Sequence, residues 1–220
     1  MKSSPKSTLL SPQLPKPLPA GVLETLEDQA EFNTAAFSGC DLANQAAAEL
    51  LFEQVSFQRA IFQQTRFTRI RLFDVRAASS DFSGATWENA RLRRVEFIGC
   101  RLIGVQLLEA HLEHVLFKEC NLEGAVFASA VFKSARFEGC NLRDASFEQA
   151  DLNGAIFHKC DLSKANLGRA KLTGADFRGS LLSGMKAGPE DMRGAIIDAT
   201  QVLQVVALLG VVVKDEDDTR

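Results

Sequence analysis

The sequence predicts an all-β solenoid in which four five-residue segments make one turn. Its first basis is a repeat of period five, clearest over residues 117–182, where a small residue, a polar or branched residue, and Leu or Phe are followed by two variable residues. Every fifth residue from Phe32 to Val202 falls on this frame. The central positions that lack a large apolar side chain are Ala47, Ala77 and Ala187. Self-similarity at a fixed short period is typical of solenoids.

The cysteines provide the second basis, because their positions differ by multiples of twenty. Each lies two residues before a central Leu or Phe, so a turn of four segments places them above one another in one corner of the core. They are Cys40, Cys100, Cys120, Cys140 and Cys160. We interpret them as reduced packing residues, which indicates a cytoplasmic protein.

The same spacing sorts the central residues into ladders of like side chains. One ladder is mostly leucine, and another is mostly phenylalanine. The regular part of the aromatic ladder is Phe97, Phe117, Phe137, Phe157 and Phe177. Stacked coils of extended chain lie about 4.8 Å apart, so like side chains in successive coils touch. The chain has 16 Phe but no Tyr, which suits a dry interior.

These repeats resemble the pentapeptide-repeat proteins. The segments closest to that family's consensus are CNLEG, CNLRD, ADLNG, CDLSK, ANLGR and ADFRG. The resemblance extends over about four fifths of the chain. It implies a right-handed quadrilateral parallel β-helix, which would have about eight to nine coils over residues 31–197.

Both ends of the chain depart from the repeat. Residues 1–20 hold five of the six prolines and predict a disordered tail, with docking of a proline-rich segment on an aromatic groove as the alternative. Residues 21–30 carry Val22, Leu23 and Leu26 at helical spacing and predict a short N-terminal cap. Within the first coils, residues 44–51 are rich in Ala and Leu, which leaves two alternatives for this side: a locally helical or bulged segment, or a regular side that keeps the intact twenty-residue phase.

The C-terminal segment, residues 198–213, predicts a helix followed by a short strand, with an acidic tail at 214–220. Asp198 or Thr200 would be the N-cap, and Gly210 would end the helix. The helix has few polar positions, so one face would cap the solenoid and the other would form a homodimer. The predicted dimer residues are Val202, Leu203, Val206, Leu209, Val211 and Val213.

Two surface features before residue 117 mark a candidate partner surface. Nine arginines and four acidic residues lie between residues 59 and 101, and we define the arginine cluster as Arg71, Arg91, Arg93 and Arg94. Clustered arginines suit phosphate or carboxylate groups, although a solvated face paired with Glu113 is the simpler interpretation. The apolar belt follows on outward positions: Ile98, Ile103 and Leu108. It marks either a partner surface or scattered surface hydrophobes.

The repeated polar residues are structural rather than catalytic. Glycines at the last position of the segment suit tight corners, and Asp or Asn before the central residue would bind nearby backbone. His111 and His114 flank Leu112 without a third metal ligand in view. Phosphate-loop, HExxH, paired CxxC and GxSxG motifs do not occur. The sequence therefore predicts no enzyme, no cofactor and no metal site.

The final helix followed by LGVVV is similar to the C-terminal dimerisation element of Qnr and MfpA-type pentapeptide proteins. This resemblance implies a rod-shaped dimer that binds DNA gyrase or topoisomerase IV as a DNA-like mimic and confers resistance to quinolones. Charge argues against strong mimicry, because residues 30–200 carry 21 acidic and 20 basic side chains. The alternative is a docking or structural module for a different protein. Neither a membrane nor direct nucleic-acid binding is expected.

Overall fold

The computed structural model describes residues 8–208 and 210–213, and these form a parallel β-solenoid with one helix at its C-terminal end. The strands are β1 (Ala20–Gly21), β2 (Glu31–Ser38), β3 (Ala46–Ala48), β4 (Leu51–Gln58), β5 (Arg66–Thr68), β6 (Arg71–Ala78), β7 (Thr86–Glu88), β8 (Arg91–Ile98), β9 (His111–Lys118), β10 (Val131–Lys133), β11 (Arg136–Glu138) and β12 (Ile156–His158). A 3₁₀ helix, η1 (Ala199–Gln201), leads into α1 (Val202–Leu208). The predicted all-β parallel solenoid is confirmed.

Strand pairing follows the twenty-residue period throughout the solenoid. Phe37 pairs with Phe57 in β2 and β4, and the register continues at the same offset to Phe157. From Glu31 to Phe177 the chain covers 147 residues, which at twenty residues a turn make about seven turns. Isolated bridges then carry the register to Ile196. The solenoid therefore has about seven turns and a looser last coil, fewer than the eight to nine coils expected.

Residues 44–51 follow the same register, so this side is a regular part of the coil and is neither helical nor bulged. Ala46–Ala48 is strand β3 and pairs with β5, Ala47 opposite Phe67. Inter-coil hydrogen bonds continue on both sides of this strand: the Asn44 N–H donates to Gln63 O and the Glu49 N–H donates to Thr68 O, both at 2.8 Å. Partner groups in the next coil thus override the helix propensity of the alanines.

The corners of the coils share one backbone conformation. At nearly every fifth residue, glycine or not, φ is positive, for example +58° at Gly99, +54° at Arg94 and +55° at Asp144. Non-glycine residues rarely adopt this region. The predicted Asp and Asn contacts are confirmed: Asp81 Oδ1 accepts from the Ser83 N–H at 2.9 Å, and equivalent residues repeat this bond. The repeat thus stabilises a corner whose backbone would otherwise be strained.

The interior consists of the predicted ladders. Phe97, Phe117, Phe137, Phe157 and Phe177 stack with ring centroids 4.8–5.1 Å apart and interplanar angles of 4–7°. Cys100 to Cys160 are buried free thiols, whereas Cys40 is only half-buried. Ala77 interrupts the aromatic ladder, and a cavity of only about 10 Å³ lies beside it because Phe62, Phe82 and Trp87 pack edge to face around this region.

The N-terminal segment is ordered from residue 8 onward, so the prediction of a disordered tail is wrong for residues 8–20. We call residues 8–19 the N-terminal strap, because they follow the corner that β2, β4, β6, β8 and β9 share. The Gln13 N–H donates to Asp74 Oδ1 at 2.8 Å, and the Leu10 N–H donates to His114 Nδ1 at 3.4 Å. Side chains of the shaft thus bind backbone groups of a segment that has no repeat of its own. Residues 1–7 lie outside the described part.

Residues 20–30 cover the first coil without forming a helix. Gly21 pairs with Phe37, and Leu23 and Leu26 are buried in the core, but Val22 is 86% exposed. The Gln45 side chain accepts from the Leu26 N–H and donates to Glu24 O, both at 2.8 Å. Because the first coil satisfies these backbone groups, the segment remains extended.

A glutamine side chain and a short helix cover the last coil. Asp198 is the N-cap of η1 and forms a capping box with Gln201. The Gln201 Nε2 donates to Phe177 O at 2.7 Å and to Ser180 O at 2.6 Å. Gly210 has a φ of +70° and follows α1. The predicted strand at 211–213 is absent from the described residues, because these three valines are exposed and pair with no strand.

Candidate partner-binding surfaces

Two of the four residues of the arginine cluster lie in register on one side of the solenoid. Arg91 pairs with Arg71 in the preceding coil and with His111 in the following coil. The three side chains line an open groove of about 430 Å³, together with Asn89, Arg69 and Glu49. We call this feature the arginine groove. In-register parallel strands lie about 4.8 Å apart, so Arg71 and Arg91 are direct neighbours in this column with no acid between them.

Most other arginines of the shaft are neutralised by an acid, and for several that acid lies one coil away. Such pairs join Arg69 to Glu49 at 2.6 Å, Arg76 to Glu96 at 2.8 Å and Arg101 to Asp81 at 3.5 Å. Within residues 8–208 and 210–213, the arginines without an ion pair are Arg59, Arg66, Arg71, Arg91 and Arg93. Three of these five belong to the arginine cluster.

Arg93 lies on the same side, in register between Phe73 and Glu113. The expected pairing with Glu113 is replaced, because Glu113 binds the Lys133 Nζ at 2.8 Å. The hydrogen bond from Lys133 lowers the pKa of Glu113, and the charge of Arg93 contributes in the same direction. Arg93 is therefore exposed and only weakly compensated.

Arg94 is not available to a partner, contrary to its place in the predicted surface. Its Nε and Nη2 both bind the carboxylate of Asp74, and the exposed fractions of the two side chains are 14% and 5%. Burial opposes the ionisation of Asp74, but bonds from Arg94 and from the Gln13 N–H outweigh it, so the pKa of Asp74 lies below its ordinary value. Arg94 anchors the N-terminal strap through this carboxylate.

The structure distributes the apolar belt over three successive sides of one coil. Ile103 is 39% exposed, and Ile98 and Leu108 are half-buried. Sides of a four-sided coil face different directions, so these residues do not form one flat apolar surface. Their partial burial fits surface hydrophobes better than a shared partner contact.

The C-terminal helix presents two faces. Val205 and Leu208 pack against the core, and the Gln204 side chain accepts from the Leu182 N–H at 2.7 Å. The outer face carries Leu203, which is 66% exposed, and Val202, which is 46% exposed. Of the other predicted dimer residues, Val206 is half-buried, Val211 and Val213 are exposed, and Leu209 lies outside the described residues.

The cysteines and histidines do not assemble a reactive centre. The neighbouring thiols of Cys100 and Cys140, together with burial, raise the pKa of Cys120, so this thiol stays protonated. His111 lines the arginine groove, whereas His114 contacts the N-terminal strap. Among the described residues, no group of three or more His, Cys, Asp and Glu is placed to hold a metal ion. No described helix is long and apolar enough to span a bilayer.

Sequence reasoning missed two features of these surfaces. His111 and Asn89 belong to the arginine groove, and adding twenty to Arg91 and Arg69 would have found them. The bond between Asp74 and Gln13 joins the repeat to a segment outside it. No period relates these two residues, so the sequence contains no signal for their contact.

Two family models match the chain. The model for pentapeptide repeats, in eight copies, matches residues 35–72 and 140–179. The model for a pentapeptide repeat region matches residues 70–146. Together the matches run without a gap from residue 35 to residue 179. No curated protein matches the chain.

Several solved structures have a similar fold. HetL, a pentapeptide repeat protein involved in heterocyst differentiation regulation from the cyanobacterium Nostoc sp., is 23% identical; the match covers 76% of this chain and 86% of HetL, with a TM-score of 0.47. Full-length QnrB1, a plasmid-mediated fluoroquinolone resistance protein, is 20% identical over 86% and 95% of the two chains, with a TM-score of 0.39. A pentapeptide repeat protein of the Arabidopsis thaliana thylakoid lumen is 23% identical over 50% and 73%, with a TM-score of 0.41.

Proposed function

The chain belongs to the pentapeptide-repeat family, and on this basis we propose that it is a non-catalytic interaction protein that binds a protein partner. One observation carries the proposal: polar and apolar side chains are left without partners at two places, the arginine groove and the outer face of α1. Elsewhere the repeat commits its central residues to the core and many of its charges to ion pairs. The free thiols support a cytoplasmic location.

The first candidate partner is a type II topoisomerase, DNA gyrase or topoisomerase IV, to which a dimer would bind as a DNA-like rod. Seven turns at about 4.8 Å make a shaft of roughly 34 Å, and two shafts joined through α1 would be about twice as long. The outward Val202 and Leu203 support joining at this end. Because acidic and basic residues of the shaft are nearly equal in number, binding would rest on shape and local contacts rather than on net charge.

Gyrase supercoiling with and without ciprofloxacin tests this candidate. We expect the purified protein to inhibit supercoiling, or to reduce the drug's effect, as it is titrated in. The test variant is Leu203→Glu, which should disrupt the dimer and leave the shaft intact. It should therefore weaken both the inhibition and the protection. Absence of both inhibition and protection at every ratio would remove the topoisomerase from consideration.

The second candidate is docking on a different protein, and the in-register neighbours Arg71 and Arg91, which have no ion pair among the described residues, favour it. Affinity capture from the native host with the wild-type chain and with the Arg71→Gln, Arg91→Gln variant separates the two candidates. A protein retained by the wild type and lost with the variant would support docking through the arginine groove. If the wild type and the variant retain the same proteins, docking through the arginine groove is excluded.

A further inference from the structure

The arginine groove has the chemistry of a phosphate site. We propose that it binds the phosphate of a phosphorylated segment of a partner protein, an inference that rests on the proposed function as a protein-binding module. Arg71, Arg91 and His111 occupy one position in three successive coils and project from the same side. Leu51 and Val131 continue this column on either side, so its nearest acids, Glu31 and Asp151, are separated from the three groups by an apolar residue.

The acidic residue that lines the groove is already in an ion pair. Glu49 lines the groove, but its carboxylate binds the Arg69 Nη2 at 2.6 Å. The shaft elsewhere places an acid one coil from an arginine, as at Arg76 and Glu96. Arg71 and Arg91 instead pair with each other in register, and an external anion would relieve their repulsion.

The number of donors favours phosphate over carboxylate. A carboxylate has two oxygens and one charge, which a single guanidinium group satisfies through two parallel bonds. A phosphomonoester has three terminal oxygens and a charge near −2. Arg71 and Arg91 offer two such forks, and the His111 ring and the Asn89 amide add further N–H donors at the rim. This set matches the larger anion.

The shape of the groove indicates a macromolecular carrier. A site for a free small molecule buries most of its ligand, whereas this groove is open along the side of the shaft. Its partner would therefore need contacts beyond the phosphate. A second groove, of about 260 Å³, shares Arg91 and His111 with the first, adds Phe73, Arg93 and Glu113, and offers such contacts.

Nucleic acid fits less well than a phosphoprotein. Its backbone needs a basic stripe that contacts several phosphates, and single strands need aromatic side chains on which bases stack. Here Glu49 and Glu113 lie beside the unpaired arginines, no Phe, Tyr or Trp side chain lines the arginine groove, and Phe73 lines only the second groove. The net charge of the chain is −3.

Fluorescence anisotropy with labelled nine-residue peptide libraries tests the proposal. One library has a central phosphoserine, and the matched library has a central serine. We expect the full chain to bind the phosphorylated library at least tenfold more tightly, and inorganic phosphate to compete. Arg71→Gln and Arg91→Gln should each weaken binding by about tenfold or more, because each removes one charged fork. His111→Gln should have a smaller effect.

Arg59→Gln is the control, since Arg59 is also exposed and without an ion pair in the described part of the chain, but does not line the groove. It should bind like the wild type, and thermal unfolding by circular dichroism would verify that every variant is folded. Equal affinity for the two libraries, or tighter binding of a single-stranded oligonucleotide, would overturn the inference. If the peptides fail while the captured partner is still lost with Arg71→Gln, Arg91→Gln, the proposed function stands and the ligand class is wrong.

Discussion

Asp74 illustrates how a single residue departs from the role of its position. Corner residues with positive φ normally project into solvent, as Asp144 does, but the Asp74 carboxylate is buried between Arg94 and the N-terminal strap. The carboxylate accepts hydrogen bonds from the Arg94 guanidinium group and from the Gln13 backbone N–H. This residue therefore links the shaft to a segment that has no repeat.

We predict that Asp74→Asn destabilises the chain by about 3 kcal/mol or more, because it leaves the Arg94 charge buried without its partner. Urea unfolding at neutral pH measures this loss. Asp144→Asn is the matched control at the same corner position, where an exposed carboxylate should change stability by less than about 0.5 kcal/mol. Equal stability of the two variants would show that the ion pair contributes nothing.

The pKa of Asp74 adds a pH dependence to the same prediction. Its folded value lies below the ordinary 3.8, so its contribution is complete above pH 3.8 and is lost as the pH falls through the folded value. Amide exchange at Gln13, which donates to this carboxylate, should lose protection over that acid range. In Asp74→Asn the exchange should no longer follow this titration.

The Phe ladder shows what a column of like residues contributes to the solenoid. The Phe137 ring stacks on Phe117 at 4.9 Å and on Phe157 at 4.8 Å, and it is fully buried. The rungs on both sides hold the ring in place, so the site has little freedom to collapse when the ring is removed. Ala77 occupies the equivalent place two coils before Phe117, where neighbouring rings from other columns fill the space.

We predict that Phe137→Ala lowers the free energy of unfolding by about 3–5 kcal/mol through loss of burial and a residual cavity. The reverse change, Ala77→Phe, should also destabilise, by about 1–3 kcal/mol, because a cavity of about 10 Å³ cannot accept a ring. Denaturant unfolding of both variants provides the measurement. Stabilisation by Ala77→Phe would mean that the rings around Ala77 repack freely.

The molecule as a whole is a shaft whose two end coils are covered by different structures. Extended chain with Leu23 and Leu26 covers the first coil, and buried Gln201 with α1 covers the last. At the C-terminal end, Val202 and Leu203 are adjacent and are 46% and 66% exposed, whereas at the N-terminal end Val22 is the exposed large apolar side chain of residues 20–30. A second copy of the C-terminal face would bury Val202 and Leu203 symmetrically.

We predict that Val202→Glu, Leu203→Glu converts a dimer into a monomer, because four charges would then face one another across the interface. Light scattering measures the mass. Val22→Glu is the control, since Val22 is equally apolar and 86% exposed but lies at the other end. An unchanged mass in the double variant would leave α1 as a cap alone.

Periodicity alone was sufficient to predict the shaft. Each central residue has the same neighbours twenty positions away, so Phe97 to Phe177 and Cys100 to Cys160 could be placed from their numbers. The Asp and Asn contacts at the corners were equally predictable, because they are local. The arginine groove was predicted in part: Arg71 and Arg91 lie together, whereas His111 was considered only as a metal ligand.

Contacts between segments of different character depended on the tertiary structure. Whether Arg94 faced solvent or Asp74 depended on which way a corner side chain turned, and the strap that completes the pair lies 61 residues away in sequence. The N-terminal cap and the two faces of α1 likewise depended on which backbone groups the terminal coils left free. Within the repeat, the fixed spacing of twenty residues determines which residues are neighbours. Segments outside the repeat have no such spacing, so their contacts are determined only by the folded structure.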